Sequence, residues 1–338
     1  MRKSIKRLAF ILIGVVLLLA ACGGKDNSGS TATSSEGTSS NGDAKKVKIG
    51  VTQIVEHPSL NAAFEGFQKA LEDAGIEAEY QNENAQNDNS ANTTIANNLV
   101  SSGVDLIFAN STPSAQAVAS LTKDIPIVFT SVTDAVSAEL VQSMEKPGGN
   151  VTGTVDTQPE AIPSTVKFLK EELGSKNVGM VFNSGEQNSR AQVDAVKTEM
   201  NKVGLNVVEA SVSTSAEVKQ ATESLIGKVD SLYIITDNTV VSALESVVSV
   251  ANDNKIPMMV GEFDSVKRGG LGAYGFEYFD IGYEAGEMAV KILNGESTPA
   301  DLPVQYPQNL RFVMNKETAD LLGLEIKDEW KAEFAQNR

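Results

Sequence analysis

The sequence predicts an α/β protein built as two lobes, each a doubly wound parallel sheet. Three observations lead there: about 290 residues follow a polar N-terminal stretch, the chain contains an internal repeat, and short apolar runs alternate with helical patterns. One core rarely serves so many residues, so length alone favours two domains. The predicted division is 1–21 signal, 22–44 tether, 45–155 first lobe with part of 277–303, and 156–275 second lobe with part of 304–338.

At the N-terminus, Arg2, Lys3, Lys6 and Arg7 precede an apolar run from Leu8 to Ala21, the layout of an export signal. The run is too short to span a bilayer comfortably. It ends in Leu19-Ala20-Ala21-Cys22-Gly23, on the only cysteine of 338 residues. This resembles a bacterial lipobox, which implies cleavage before Cys22 and acylation of that residue, a palmitate-type membrane anchor. A single cysteine also excludes an intramolecular disulfide. Residues 22–44 are rich in Ser, Gly, Thr and Asn and read as a flexible tether. Without residues 1–21, 24 basic residues stand against 44 acidic ones, a net charge of −20. Nucleic acid and anionic head groups repel such a body.

The repeat orders the rest. Val104–Pro113, a helix-like stretch and Ile125–Asp134 are answered by Val229–Asn238, a helix-like stretch and Ile256–Asp264. Asp105 to Pro126 is 21 positions and Asp230 to Pro257 is 27, a difference that one longer helix absorbs. Upstream, Leu71–Gly75 and Met200–Gly204 each read as a helix ending at glycine before a strand. Strands are expected near Val47–Thr52, Leu106–Ala109, Ile127–Thr130, Val178–Phe182, Ser231–Ile235 and Met258–Val260. The clearest helices are Leu60–Ala74, Ser189–Val203 and Val240–Asn252. Continuous apolar strands separated by helices imply parallel sheets covered on both faces.

Ligands of open α/β sheets sit beyond the carboxyl ends of the strands, so the residues after each strand carry the functional information. In the first lobe these are Gln53, His57 and Ser59, then Asn110, Ser111, Thr112 and Ser114, then Ser131, Thr133 and Asp134. In the second they are Asn183, Ser184, Glu186 and Asn188, then Asp237 and Asn238, then Glu262 and Asp264. Hydroxyls and free N–H groups at the Ser111–Ser114 helix start suit an anion. Glu186, Asp237, Glu262 and Asp264 suit an ammonium. Facing each other, the two sets fit a zwitterion, although Ser, Thr, Asp and Asn are also the usual helix caps. Catalytic machinery is sparse. His57 is the sole histidine and lacks a nucleophile-elbow motif, although Ser59 with Asp134 or Asp264 completes a triad on paper. With Cys22 acylated, no thiol remains for metal or nucleophilic work. Neither cofactor nor metal is expected.

Several segments carry a family resemblance: Ile49–Pro58, Ile125–Thr130, Lys146–Gly153, Thr236–Thr239 and Asp264–Gly269. Together they resemble ABC-transporter substrate-binding lipoproteins of the tryptophan- and tyrosine-uptake type, over about Val47 to Leu322. The resemblance implies a type I periplasmic-binding fold whose lobes are joined by three crossovers, with candidates at Gly149–Asp156, Gly272–Glu277 and Val304–Asn309. It further implies a monomeric, membrane-anchored receptor that captures tryptophan, phenylalanine or tyrosine and delivers it to an ABC permease with its ATPase. The ligand carboxylate would lie at Ser111–Ser114 and the ammonium in the Glu262–Ser265 loop, with Glu262 and Asp264 both fitting. An exported cell-wall hydrolase and a sensory co-receptor are the competing readings.

Overall fold

Lys46 leads directly into the first strand of the computed structural model, which describes residues 46–335. The signal, Cys22 and the tether lie outside the described residues. The first lobe alternates β1 (Val47–Gln53), α1 (Pro58–Asp73), β2 (Ala78–Asn84), α2 (Asn89–Ser101), β3 (Leu106–Asn110), α3 (Thr112–Leu121), β4 (Ile127–Val132) and β5 (Val151–Val155). The chain then crosses to α4 (Ala161–Glu171), β6 (Asn177–Asn183), α5 (Gln187–Lys202), β7 (Asn206–Val212), α6 (Val218–Glu223) and β8 (Ser231–Ile234). The second lobe continues through α7 (Asn238–Ser242), α8 (Leu244–Asp253), β9 (Met258–Val260), α9 (Phe263–Lys267) and β10 (Gly272–Gly275). Next, α10 (Tyr278–Leu293) packs back on α1. Finally β11 (Arg311–Met314), α11 (Lys316–Leu322) and β12 (Glu333–Phe334) complete the second lobe.

The first sheet has the order β2-β1-β3-β4-β5, parallel throughout. The second runs β12-β11-β10-β9-β8-β6-β7 and is parallel except where β10 meets β11. Every residue of β3, β4 and β5 is buried, which is why Leu106–Ala109 and Ile127–Phe129 read as unbroken apolar runs. Successive side chains still serve opposite faces: Leu106 and Phe108 join the core under α1 and α10, whereas Ile107 and Ala109 join the core under α2 and α3. Phe67 and Phe108, both fully buried, bring their rings to 4.1 Å. Burying each such side chain contributes about 1.5–3 kcal/mol.

The halves of the repeat adopt the same plan. In each, two neighbouring parallel strands pair, Ile107 with Ile127 and Leu232 with Met258. Gly75 and Gly204 end α1 and α5 in the left-handed region, at φ 72° and 69°, and the next residues return N–H bonds to Leu71 and Met200. One expectation needs correcting. The helix expected over Val240–Asn252 is two pieces, α7 and α8, broken at Ala243. Thr239, Val240 and Val241 are β-branched, and Ser242 Oγ bonds the Thr239 carbonyl, so local propensity for a continuous helix is poor. The break frees the start of α7 to face the first lobe.

Three passages join the lobes: β5 into α4, β10 into α10, and the segment 303–310 into β11. The third lies against the first, since Val155 N–H bonds the Gln305 carbonyl and Gln305 N–H bonds the Gly153 carbonyl. α1 and α10 meet almost backbone to backbone. A Cβ on Gly66 would come within 2.0 Å of the Phe279 carbonyl oxygen, and one on Gly282 within 1.8 Å of that of Ala63.

Candidate functional site

Where the carboxyl ends of the two sheets face each other, the lobes close on a small polar cavity of about 10 Å³, roughly the room of one water. From the first lobe come His57, Leu60 and Ser131. The crossovers contribute Asp156 and Tyr278, and the second lobe adds Asn188, Thr236, Asn238, Val241 and Glu262. Direct interlobe hydrogen bonds surround this space. Ser59 Oγ donates to Glu262 at 2.7 Å, Ser111 Oγ to Asn238 at 3.1 Å and Asn87 Nδ2 to Thr239 at 2.5 Å. Gln192 Nε2 donates to Thr133 at 2.8 Å.

Local structure sets each lining group. His57 is the N-cap of α1, in extended backbone before Pro58, and its side chain makes no capping bond. Ser131 sits at φ 56° beside the register shift between β4 and β5. A left-handed non-glycine residue costs free energy and persists where its surroundings impose it, commonly at a binding site. Glu262 is the N-cap of α9 and accepts from Ser265 N–H at 3.0 Å.

Electrostatically the wall is one-sided. Burial pushes the Glu262 carboxyl above its ordinary range, and the Asp264 charge adds to this. Asp156 is likewise raised by burial, opposed by hydrogen bonds from Tyr278, Thr133 and Thr236. Burial, aided by the Arg268 charge, lowers His57 to about 3, which leaves the imidazole neutral. No lysine or arginine lines the space. Three lining atoms are buried without any hydrogen-bond partner: His57 Nδ1, Ser131 Oγ and Asn188 Oδ1. Buried polar atoms nearly always find partners, so their convergence on one cavity marks a place for a polar ligand. A wider groove of about 540 Å³ opens beside the hinge, near Met144, Ile162 and Tyr306, and contains none of these atoms.

Of the residues singled out in the sequence, His57, Ser131, Asn188, Asn238 and Glu262 line the cavity. Others brace it. Gln53 accepts from Asn110 Nδ2, Ser114 donates to Asn92, and Thr112 accepts from Thr133 N–H. Asn183 donates to Thr239, and Asp237 accepts from Ser189 Oγ, Asn183 N–H and Val240 N–H. Glu186 accepts from Asn238 and Thr239, the residues that reach across to the first lobe. Asp264 pairs with Lys267 at 2.9 Å and lies 3.2 Å from Ser59 Oγ. Asp134 and Ser184 are exposed and stand apart: Asp134 accepts from Val136 and Ser137 N–H, and Ser184 from Ser211 Oγ. Sequence reasoning missed Asp156 and Tyr278. Asp156 was within reach, as the first polar residue after β5. Tyr278, a buried helix-start aromatic, carries no such signal.

Residues 48–337 match the family model for ABC transporter substrate binding protein. A tyrosine-binding protein of Clostridioides difficile is 44% identical over 333 residues, 96% of this chain and 94% of that one. The structure of an ABC domain in complex with L-Trp from Streptococcus pneumoniae superposes with a TM-score of 0.81 at 34% identity, covering 85% of this chain and 97% of that one. The ligand-free, open structure of a substrate-binding protein with adhesive properties from Clostridium difficile is 43% identical, covering 86% and 100%, yet its TM-score is 0.65. Greater sequence likeness with lower superposition means that the lobes here stand closer to the arrangement in the L-Trp complex. With its parallel-sheet lobes, enclosed cavity and family match over nearly all of the described residues, the chain belongs to the ABC transporter substrate-binding protein family.

Proposed function

We propose that this protein captures an aromatic amino acid, tyrosine or tryptophan, between lobes that part to admit it and close around it, and delivers it to an ABC permease with its ATPase. The observation that carries this reading is the cavity itself, where two buried carboxylates without a basic neighbour meet three unpartnered polar atoms. An ammonium between Glu262 and Asp156 supplies the missing cation, and removes the cost of two desolvated charges. The ligand carboxylate faces Ser131 and the starts of α1 and α3, whose N-caps His57 and Ser111 make no side-chain capping bond. Support for an aromatic ligand comes from the tyrosine-binding name of the 44% identical relative and from L-Trp in the pneumococcal structure. His57 Nδ1 makes no hydrogen bond, so no Ser-His-Asp relay is assembled around it.

The protein acts outside the cytoplasm, held to the membrane through acylated Cys22. Closure follows ligand only to the extent that the closed state binds it better. The test is equilibrium dialysis of residues 23–338 against radiolabelled tyrosine, tryptophan, phenylalanine, leucine and galactose. Saturable one-site retention of an aromatic amino acid is expected, in the micromolar range or about −8 kcal/mol. Retention of the sugar alone, or of nothing, contradicts the reading.

A further inference from the structure

Asp156 and Tyr278 belong to different passages of the hinge. Asp156 follows β5 where the chain first leaves the first lobe, and Tyr278 opens α10 where it returns. The phenol donates to Asp156 Oδ2 at 2.7 Å, and both side chains are buried and line the cavity. Asp156 Oδ1 accepts from Thr133 Oγ1 at 3.3 Å, and Thr133 in turn accepts from Gln192 of the second lobe. One carboxylate therefore joins two hinge passages and, through Thr133, both lobes.

We propose that Tyr278 is a positioning residue for ligand capture: its hydroxyl holds the Asp156 carboxylate ionised and oriented toward the ligand ammonium, tying that contact to the hinge. The inference rests on the amino-acid reading above. Its physical basis is that a phenol O–H to a carboxylate is a charge-assisted bond, which favours the ionised acid in a place where burial disfavours it. Burial and the Asp156 charge hold the phenol well above its ordinary pKa, so it remains a donor at all physiological pH values. The other titratable groups facing the pair are Glu262, raised by burial, and neutral His57; neither offers Asp156 a cation.

The sign of the pH effect follows. Binding a cation requires ionised Asp156, so affinity falls as pH drops through the Asp156 pKa. Removing the phenol hydroxyl raises that pKa further and moves the loss to higher pH. Calorimetric titration of L-tyrosine and L-tryptophan between pH 5 and 9 tests this on the wild type, Tyr278→Phe, Asp156→Asn and the double variant. Tyr278→Phe keeps the ring, and a melting scan of each variant verifies folding. The expected result is a tenfold or greater loss of affinity at pH 7 for Tyr278→Phe, with its acid limb displaced upward. Asp156→Asn should lose affinity and lower the pH dependence, and adding Tyr278→Phe to it should change little. Wild-type affinity and an unmoved acid limb in Tyr278→Phe, or equal losses with and without Asp156, overturn the proposal. A wild type that binds neither amino acid overturns the amino-acid reading beneath it, and is distinguished by the first titration.

Discussion

Glu262 and Asp264 occupy one short turn yet have different surroundings. Glu262 is fully buried, accepts from Ser59 and Ser265, and borders the cavity; Asp264 pairs with Lys267 and keeps about a fifth of its side chain exposed. Glu262→Gln is therefore expected to cost about 3 kcal/mol of binding, more than a hundredfold in affinity. Asp264→Asn should cost at most about 1 kcal/mol, as partly exposed pairs do. Calorimetry on both variants checks the contrast, which an equal loss would refute. Glu186 permits a second test. Burial first, then the Asp237 charge, raises its carboxyl to about 7. A folded-state pKa above the unfolded value means that the folded protein binds more protons, so stability is lost as pH rises from about 4.5 to 7. Glu186→Gln should be more stable than the wild type at pH 8, by up to about 3 kcal/mol, with the advantage vanishing toward pH 5. His57, lowered to about 3, destabilises the fold in acid but is common to both proteins, so the difference in melting temperature reports Glu186 together with the Asp237 carboxyl that it faces. A difference that does not vary with pH would remove Glu186 from this role.

Among the elements, the α1–α10 contact is the most exacting. Gly282→Ala drives a methyl into the Ala63 carbonyl, a backbone atom that cannot rotate away, whereas a Cβ on Gly149 meets nothing within 4 Å. Urea titration should show Gly282→Ala destabilised by about 1–3 kcal/mol or more and Gly149→Ala within about 0.5 kcal/mol of wild type. Neither result was foreseeable from a bare glycine. What was legible is the set of strands buried on both faces, because burial there favours continuous apolar residues, as in Leu106–Ala109 and Ile127–Phe129. The edge strand β2, Ala78–Asn84, has no fully buried residue and spells Ala-Glu-Tyr-Gln-Asn-Glu-Asn, so no apolar run announces it. The polar-after-strand rule found His57, Ser131, Asn188, Asn238 and Glu262 at the cavity. It could not separate them from Asp237, Asn110 or Gln53, since a residue that caps a helix and one that faces a ligand have the same chemistry and differ only in direction.

At the scale of the molecule, the proposed capture and the proposed anchoring fall in separate parts of the chain. Cys22→Ala should abolish incorporation of labelled fatty acid and release the protein from membranes while leaving affinity unchanged; label persisting on the variant would defeat the lipobox assignment. On the proposed reading, capture depends on the lobes meeting around a zwitterion with its ammonium between Asp156 and Glu262. The most direct measurement is a crystal structure of residues 23–338 grown with L-tyrosine. The amino acid should lie between the lobes with its nitrogen within hydrogen-bond distance, about 3 Å, of both carboxylates and with partners for His57 Nδ1, Ser131 Oγ and Asn188 Oδ1. A ligand seated in the outer groove near Tyr306, or an ammonium held by Asp237 or Asp264 with Glu262 left only to cap α9, would contradict it.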